Sequence, residues 1–270
     1  MSSSIAKKSL RVGIAALAAA TLGLAACSST ESSTDSDKKS TTSQSETAAA
    51  ETSEASATKE AEKTEDAGGY GDSEEMTEGE KANEAFENKV TDAELLAGLK
   101  AGGHVIFIRH GQTNKDWADQ ASPDLDLQNC ATQRSLSEKG WQQGRMIGAA
   151  FKKAEIPVGE VTASEYCRAW QTADLAFGMH KKDPALNFAK AEEYTDAQVK
   201  QMADGIKPYL TTKPAEGVNN VVVGHDDVFE SATGIYPAPQ GISYVAVPKG
   251  DDFELIAKLS PEDWEKLAAS

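Results

Sequence analysis

The sequence predicts an α/β fold, a three-layer α/β/α sandwich around a mainly parallel central sheet. Three observations lead there. Beyond about residue 90, short apolar runs alternate with helical patterns, the order in which parallel strands and their covering helices follow one another. Two runs, Val105-Ile106-Phe107-Ile108 and Val221-Val222-Val223, are apolar without alternation, as strands buried on both faces are. Each leads into a polar junction, Arg109-His110-Gly111 in one case and Gly224-His225 in the other. Open α/β sheets bind their ligands at the carboxyl edge, where those junctions fall.

The chain begins differently. Lys7, Lys8 and Arg11 precede an apolar run from residue 12 to 26 that ends Leu24-Ala25-Ala26-Cys27. A basic start, a short apolar stretch and small residues at its end read as a secretory signal. The run is too Ala-rich for a comfortable membrane span, which needs about 20 strongly apolar residues. Leu-Ala-Ala-Cys resembles the bacterial lipobox. That resemblance implies that residues 1–27 are a lipoprotein signal, that Cys27 carries the lipid, and that the rest lies outside the cytoplasm on a membrane anchor. An ordinary signal peptide with an incidental cysteine is the alternative reading. Residues 28–89 are Ser, Thr, Glu, Ala and Lys with almost no large apolar side chain. Such a segment cannot bury enough surface to offset its ordering entropy and reads as a disordered acidic tether. Its length corresponds to a reach of roughly 40–45 Å. Residues 90–270 are then the one folded domain.

Within that domain, Thr91 and Glu94 form a capping box ahead of Leu95, Leu96 and Leu99, and Gly102-Gly103 ends the helix. The first strand follows at 104–108. Residues 112–134 are polar, with Pro123 and several Asp residues, and read as a long loop beside the site. A second helix starts at Ser137 and runs to about residue 153, with Trp141, Met146, Ile147, Ala150 and Phe151 on its inner stripe. A short strand at 160–164 precedes a helix at 168–177 closed by Gly178. A further strand is expected at 185–188, then a helix at 195–210 capped by Thr195. The strand at 220–224 ends in His225. Strands at 242–247 and 253–259 flank the turn Gly250-Asp251-Asp252, and Pro261 opens a terminal helix.

The formal net charge is −16, more than half of it carried by residues 28–89. An acidic domain on an acidic tether argues against nucleic acid as a partner. Any phosphate-binding cations must therefore act as a focused local site. Of three cysteines, Cys27 belongs to the lipobox. Cys130 and Cys167 either pair in an oxidising compartment or stay as buried thiols. There is no metal-ligand spacing, and no metal or cofactor is expected.

Arg109, His110, Arg168 and His225 all sit just after strands or at helix starts. An arginine beside a histidine pairs a cation for phosphate with a nitrogen nucleophile able to attack phosphorus. The residues around them resemble the histidine phosphatase superfamily. Arg109-His110-Gly111-Gln112-Thr113 is similar to its R-H-G-x-T motif. The stretch from Ser164 through Arg168 to Thr172-Ala173 resembles S-x-x-x-R-x-x-x-T-A, and Gly224-His225 resembles the second-histidine motif. Leu136-Ser137-Glu138-Lys139-Gly140 is similar to its L-[ST]-x-x-G helix start.

The resemblance implies that His110 accepts the phosphoryl group while Arg109, Arg168 and His225 surround its oxygens. It implies a phosphorylated substrate and a leaving-group acid of one of two kinds. One branch places an Asp directly after the second histidine, here Asp226. Another places a Glu further on after the second arginine, here Glu192 or Glu193, and spacing leans to Glu192. With little room for cap insertions, the sequence predicts an open site. His104 and His180 read as structural or solvated, and Arg134 as a surface residue with a rim role as the alternative. The expected function is a membrane-tethered extracytoplasmic phosphatase working through phosphohistidine. The alternative is a non-catalytic lipoprotein that binds a phospho-ligand or a partner.

Overall fold

The computed structural model describes residues 75–270. The expected signal, the lipobox Cys27 and the tether up to residue 74 lie outside the described residues. The helices are α1 (Glu78–Glu84), α2 (Asp92–Ala101), α3 (Glu138–Lys153), α4 (Cys167–Phe177), α5 (Asp196–Thr211), α6 (Asp226–Thr233) and α7 (Pro261–Leu267). The strands are β1 (Val105–Arg109), β2 (Val158–Ala163), β3 (Lys181–Lys182), β4 (Asn219–Gly224), β5 (Ser243–Lys249) and β6 (Asp252–Leu259).

The six strands form one sheet in the order β3-β2-β4-β1-β5-β6. The first four run parallel, and β5 pairs antiparallel with both β1 and β6. The expected mainly parallel sheet is therefore present, with β1 and β4 side by side at its centre.

The strand period sorts side chains onto the two faces. Ile106 and Ile108 join Leu99, Ile147, Phe151, Val221, Val223 and Trp264 on one side. Val105 and Phe107 join Val222, Phe229, Ile206, Leu210 and Tyr244 on the other. Helices α2, α3, α4 and α7 cover the first face, and α5 and α6 cover the second, which completes three layers. Trp264 has no exposure, and its indole N–H donates to Ser243 Oγ at 3.0 Å.

Two expectations change. At 185–188 there is no strand. Asp183 Oδ1 accepts from Ala185 N at 2.8 Å, and Pro184 opens a short 3₁₀ turn. Leu186 and Phe188 are buried by that turn rather than by a ladder. The apolar spacing is real, but Pro184 and the Asp183 cap set the backbone.

The ordered body also starts before residue 90. Thr77 and Glu80 close a capping box on α1. Asn83 then bonds the Ala238 carbonyl at 2.9 Å and accepts from Tyr244 Oη at 2.5 Å. Phe86 packs edge-on against the Tyr244 ring, and Lys89 N donates to the Ile256 carbonyl. Residues 78–89 share the tether's composition, yet one capping box and the anchors Asn83 and Phe86 tie them to the domain.

Candidate active site

The parallel register brings three strand ends to one edge of the sheet. Arg109 lies opposite Gly224, and Ala163 pairs with Val223. His110 N donates to the Gly224 carbonyl at 3.0 Å, and Ser164 N to the Val223 carbonyl at 3.0 Å. The chain leaves β2, β4 and β1 at the same level, and Arg168, His225 and His110 meet there. Arg168 enters from the first turn of α4, and His225 is the N-cap residue of α6.

The turn after β1 is held by close backbone contact. A Cβ at Gly111 would lie 2.6 Å from the Gly140 carbonyl oxygen, and one at Gly140 would lie 2.1 Å from that of Gln112. Only two glycines let the turn meet the start of α3 this closely. Gly111 N also donates to Thr172 Oγ1 at 2.9 Å, and Gln112 N to Gln143 Oε1 at 2.8 Å. These contacts explain why the motif needs glycine after the histidine and threonine four residues after Arg168.

The proton on the His110 ring is fixed by its two neighbours. Nδ1 lies 2.8 Å from the Gly111 carbonyl, which can only accept, so Nδ1 carries the hydrogen. Nε2 accepts from Arg168 Nε at 3.2 Å, so it presents a lone pair. Burial first, and then the charges of Arg168, Arg134 and Arg109, hold the imidazole well below its ordinary value. His110 is thus a neutral ring with its reactive nitrogen beside a guanidinium. His225 is likewise held neutral by burial and by Arg168. Its Nε2 meets Ser164 Oγ at 2.8 Å, and its Nδ1 is buried without a hydrogen-bond partner.

Arg109 donates to Asp226 Oδ2 at 2.6 Å and to the Pro237 carbonyl at 3.1 Å. Burial pushes the Asp226 carboxyl up, but Arg109, His225 and Arg134 outweigh it and hold the group at about 2. Asp226 is therefore an ionised group that orients Arg109. Tyr236 Oη donates to the same carboxylate at 3.0 Å. Glu192, the other expected acid, lies exposed in the turn before α5, with no hydrogen bond or ion pair to the cluster.

Two residues that the sequence did not single out, Asp119 and Asp227, and one it placed at the surface, Arg134, complete the site. Asp119, fully buried, takes Arg168 Nη1 at 2.7 Å and the backbone N–H of Arg134 at 2.9 Å. Arg134 is 6% exposed and sits inside the cluster, contrary to the surface role expected of it. Asp227 accepts from Tyr194 Oη at 3.0 Å, and burial and the Asp226 charge push its carboxyl up to about 7. The Asp226-Asp227 doublet after His225 was the available signal for Asp227, and the position two residues before the L-S-x-x-G start was that for Arg134.

Cys130 and Cys167 form a disulfide, which settles the two readings of these residues. It ties the loop to the start of α4. His110 is 1% exposed and Arg168 0%, so the site is buried and not open as expected. His104 and His180 lie apart from the cluster: His104 just precedes β1, and His180 stacks on Trp170.

Residues 105–228 match the family model of the histidine phosphatase superfamily, branch 1. No curated protein sequence matches the chain. Among solved structures, the chain is similar to the protein histidine phosphatase SixA complexed with tungstate. That likeness has 18% identity over 58% of this chain and 97% of the other, with a TM-score of 0.42. It is also similar to a mutant phosphoserine phosphatase from Entamoeba histolytica in complex with phosphoserine, at 14% identity, 59% and 98% coverage and a TM-score of 0.42. A third is TTHB049 from Thermus thermophilus, at 19% identity, 58% and 99% coverage and a TM-score of 0.39. The family match runs from β1 to the start of α6 and includes Arg109, His110, Arg168 and His225. The segment 105–228 belongs to the histidine phosphatase superfamily.

Proposed function

We propose that this domain hydrolyses phosphomonoesters through a covalent phosphohistidine on Nε2 of His110. The observation that carries the reading is the ring's geometry: Nδ1 held by the Gly111 carbonyl, and the Nε2 lone pair beside Arg168. A nucleophilic nitrogen that is unprotonated, oriented and next to a cation is what phosphoryl transfer to histidine requires. As the P–N bond forms, the ester P–O bond breaks and the leaving oxygen takes a proton. Water then attacks the phosphorus, the P–N bond breaks to free Nε2 as phosphate leaves, and the water's proton goes to the carboxylate left by the donor. Arg109, Arg168 and His225 stabilise charge on the equatorial oxygens.

Asp227 is the candidate donor to a poor leaving group. It lies in the first turn of α6, two residues after His225, and its N–H donates to Asp226 Oδ1 at 3.1 Å. Its carboxyl still holds a proton near neutrality while Asp226 does not. A phosphoryl group arriving beside His110 competes with Asp119 for Arg168. We further read the chain as a lipoprotein, anchored through Cys27 and held off the outer membrane face by the tether. The support is the basic start, the apolar run and the Leu-Ala-Ala-Cys ending.

One observation favours the non-catalytic alternative: the arginines of the site are already paired with carboxylates, and the cluster is closed. Release of phosphate from p-nitrophenyl phosphate between pH 4 and 8 separates the readings. Turnover that falls at least a thousandfold in a folded His110→Ala variant supports the enzyme. Equal background in both proteins leaves only a binding role. Mass analysis of the mature N-terminus tests the anchor, which requires a diacylglyceryl group on Cys27.

A further inference from the structure

Building on the phosphatase reading above, we propose that Arg134 is a third anion-binding guanidinium of this site. The Cys130–Cys167 disulfide is the clasp that positions it there. Arg134 and Arg168 share one carboxylate oxygen: Asp119 Oδ2 accepts the Arg134 backbone N–H at 2.9 Å and Arg168 Nη1 at 2.7 Å. The Arg134 side chain folds back toward the nucleophile's own turn. Its Nε and Nη2 donate to Thr113 Oγ1 at 3.3 and 2.8 Å, and Thr113 lies three residues after His110.

The third nitrogen, Nη1, meets Asp116 at 2.5 Å. That carboxylate is about one-third exposed. It is a counter-ion that an incoming phosphoryl group can replace, since a guanidinium fork binds phosphate oxygens as readily as carboxylate oxygens. Nη2 of Arg168 is buried with no hydrogen-bond partner, so the cluster has donor capacity that its own carboxylates do not use.

The clasp joins the two arginines through their sequence neighbours. Cys167 immediately precedes Arg168, and Cys130 lies four residues before Arg134. Cys167 N also donates to Gln133 Oε1 at 2.8 Å. The regular structure of residues 114–134 is two short 3₁₀ turns, Asp119–Ala121 and Cys130–Thr132. Without the cross-link, holding Arg134 in place would cost the ordering entropy of a segment with little regular structure. The substrate class that follows is a compact, doubly charged phosphomonoester head, whose oxygens can meet several cations at once.

The test uses the full-length chain, with inorganic phosphate as the binding probe and p-nitrophenyl phosphate as substrate. Arg134→Ala is expected to weaken phosphate binding and raise KM by on the order of tenfold to a hundredfold, and Arg134→Lys to recover part of the loss. The Cys130→Ser/Cys167→Ser pair should raise KM comparably. Adding Arg134→Ala to that pair should change KM by less than about twofold, because the clasp acts through Arg134. Arg134→Ala within about twofold of wild type for both phosphate affinity and KM would overturn the assignment. Fully additive losses would overturn the clasp. If Arg134→Ala does not fold, Arg134→Gln reads the charge under the same limits. A wild type that binds phosphate through Arg134 but never turns over would sink the phosphatase reading and leave the arginine assigned.

Discussion

Asp119 and Arg168 form an ion pair at 2.7 Å in which neither side chain has any exposure. A pair this buried is held by mutual need, because losing one partner leaves the other charge desolvated. Asp119→Ala is therefore expected to cost about 3–5 kcal/mol in phosphate-free buffer. Phosphate can take the vacated place on Arg168, so millimolar phosphate should raise the melting temperature more in the variant than in wild type. Thermal unfolding with and without phosphate checks both parts. A variant as stable as wild type would mean that Asp119 does not carry the cost of closing the site.

His110 bears on pH directly. Burial and then the neighbouring guanidinium charges hold its imidazole below the ordinary 6.5, so the neutral nucleophile persists as the medium becomes mildly acidic. His225 behaves likewise. In 15N spectra of histidine-labelled protein, the His110 resonance, assigned by its loss in His110→Ala, should titrate only below pH 6.5. A midpoint at or above 6.5 would show that burial and the guanidinium charges do not act on the ring as its geometry requires.

Asp227 gives an opposite slope. Its folded-state value near 7 lies above the ordinary 3.8, so the folded protein binds an extra proton between those limits. Stability from this group is present at low pH and lost as pH rises toward 7. Asp227→Asn, which still accepts from Tyr194, should be more stable than wild type at pH 8 by on the order of 1–2 kcal/mol, with the gain shrinking toward pH 4. Urea unfolding at the two pH values measures this. As the proposed donor, Asp227→Asn should also slow alkyl phosphates at least tenfold more than p-nitrophenyl phosphate, whose leaving group needs little protonation.

How much was readable in advance follows from how local each signal is. Arg109, His110, Arg168 and His225 are all found where a strand ends or a helix begins, and their motifs announce that junction within a few residues. Asp119 gave no such signal, and the neighbours of Arg134 and Asp227 marked their positions without revealing their roles. Their roles depend on how residues 112–134, which have neither a period of 2 nor of 3.6, fold over the strand ends. Helix α1 was hidden because one capping box and the anchors Asn83 and Phe86 do not change a window's composition.

Apolar runs at 105–108 and 221–223, with helix caps between them, were enough by themselves to determine an α/β sandwich, and the motifs at the strand ends and helix starts marked Arg109, His110, Arg168 and His225. Strand and helix periods are properties of neighbouring residues, and the parallel crossover leaves few ways to arrange them. Only the tertiary structure decided the proton on His110, the ionisation of Asp226 against Asp227, the burial of Arg134 and the Cys130–Cys167 bond. Each depends on which charges and carbonyls come within a few ångströms in a water-poor site. Such distances are fixed by packing between segments far apart in the chain.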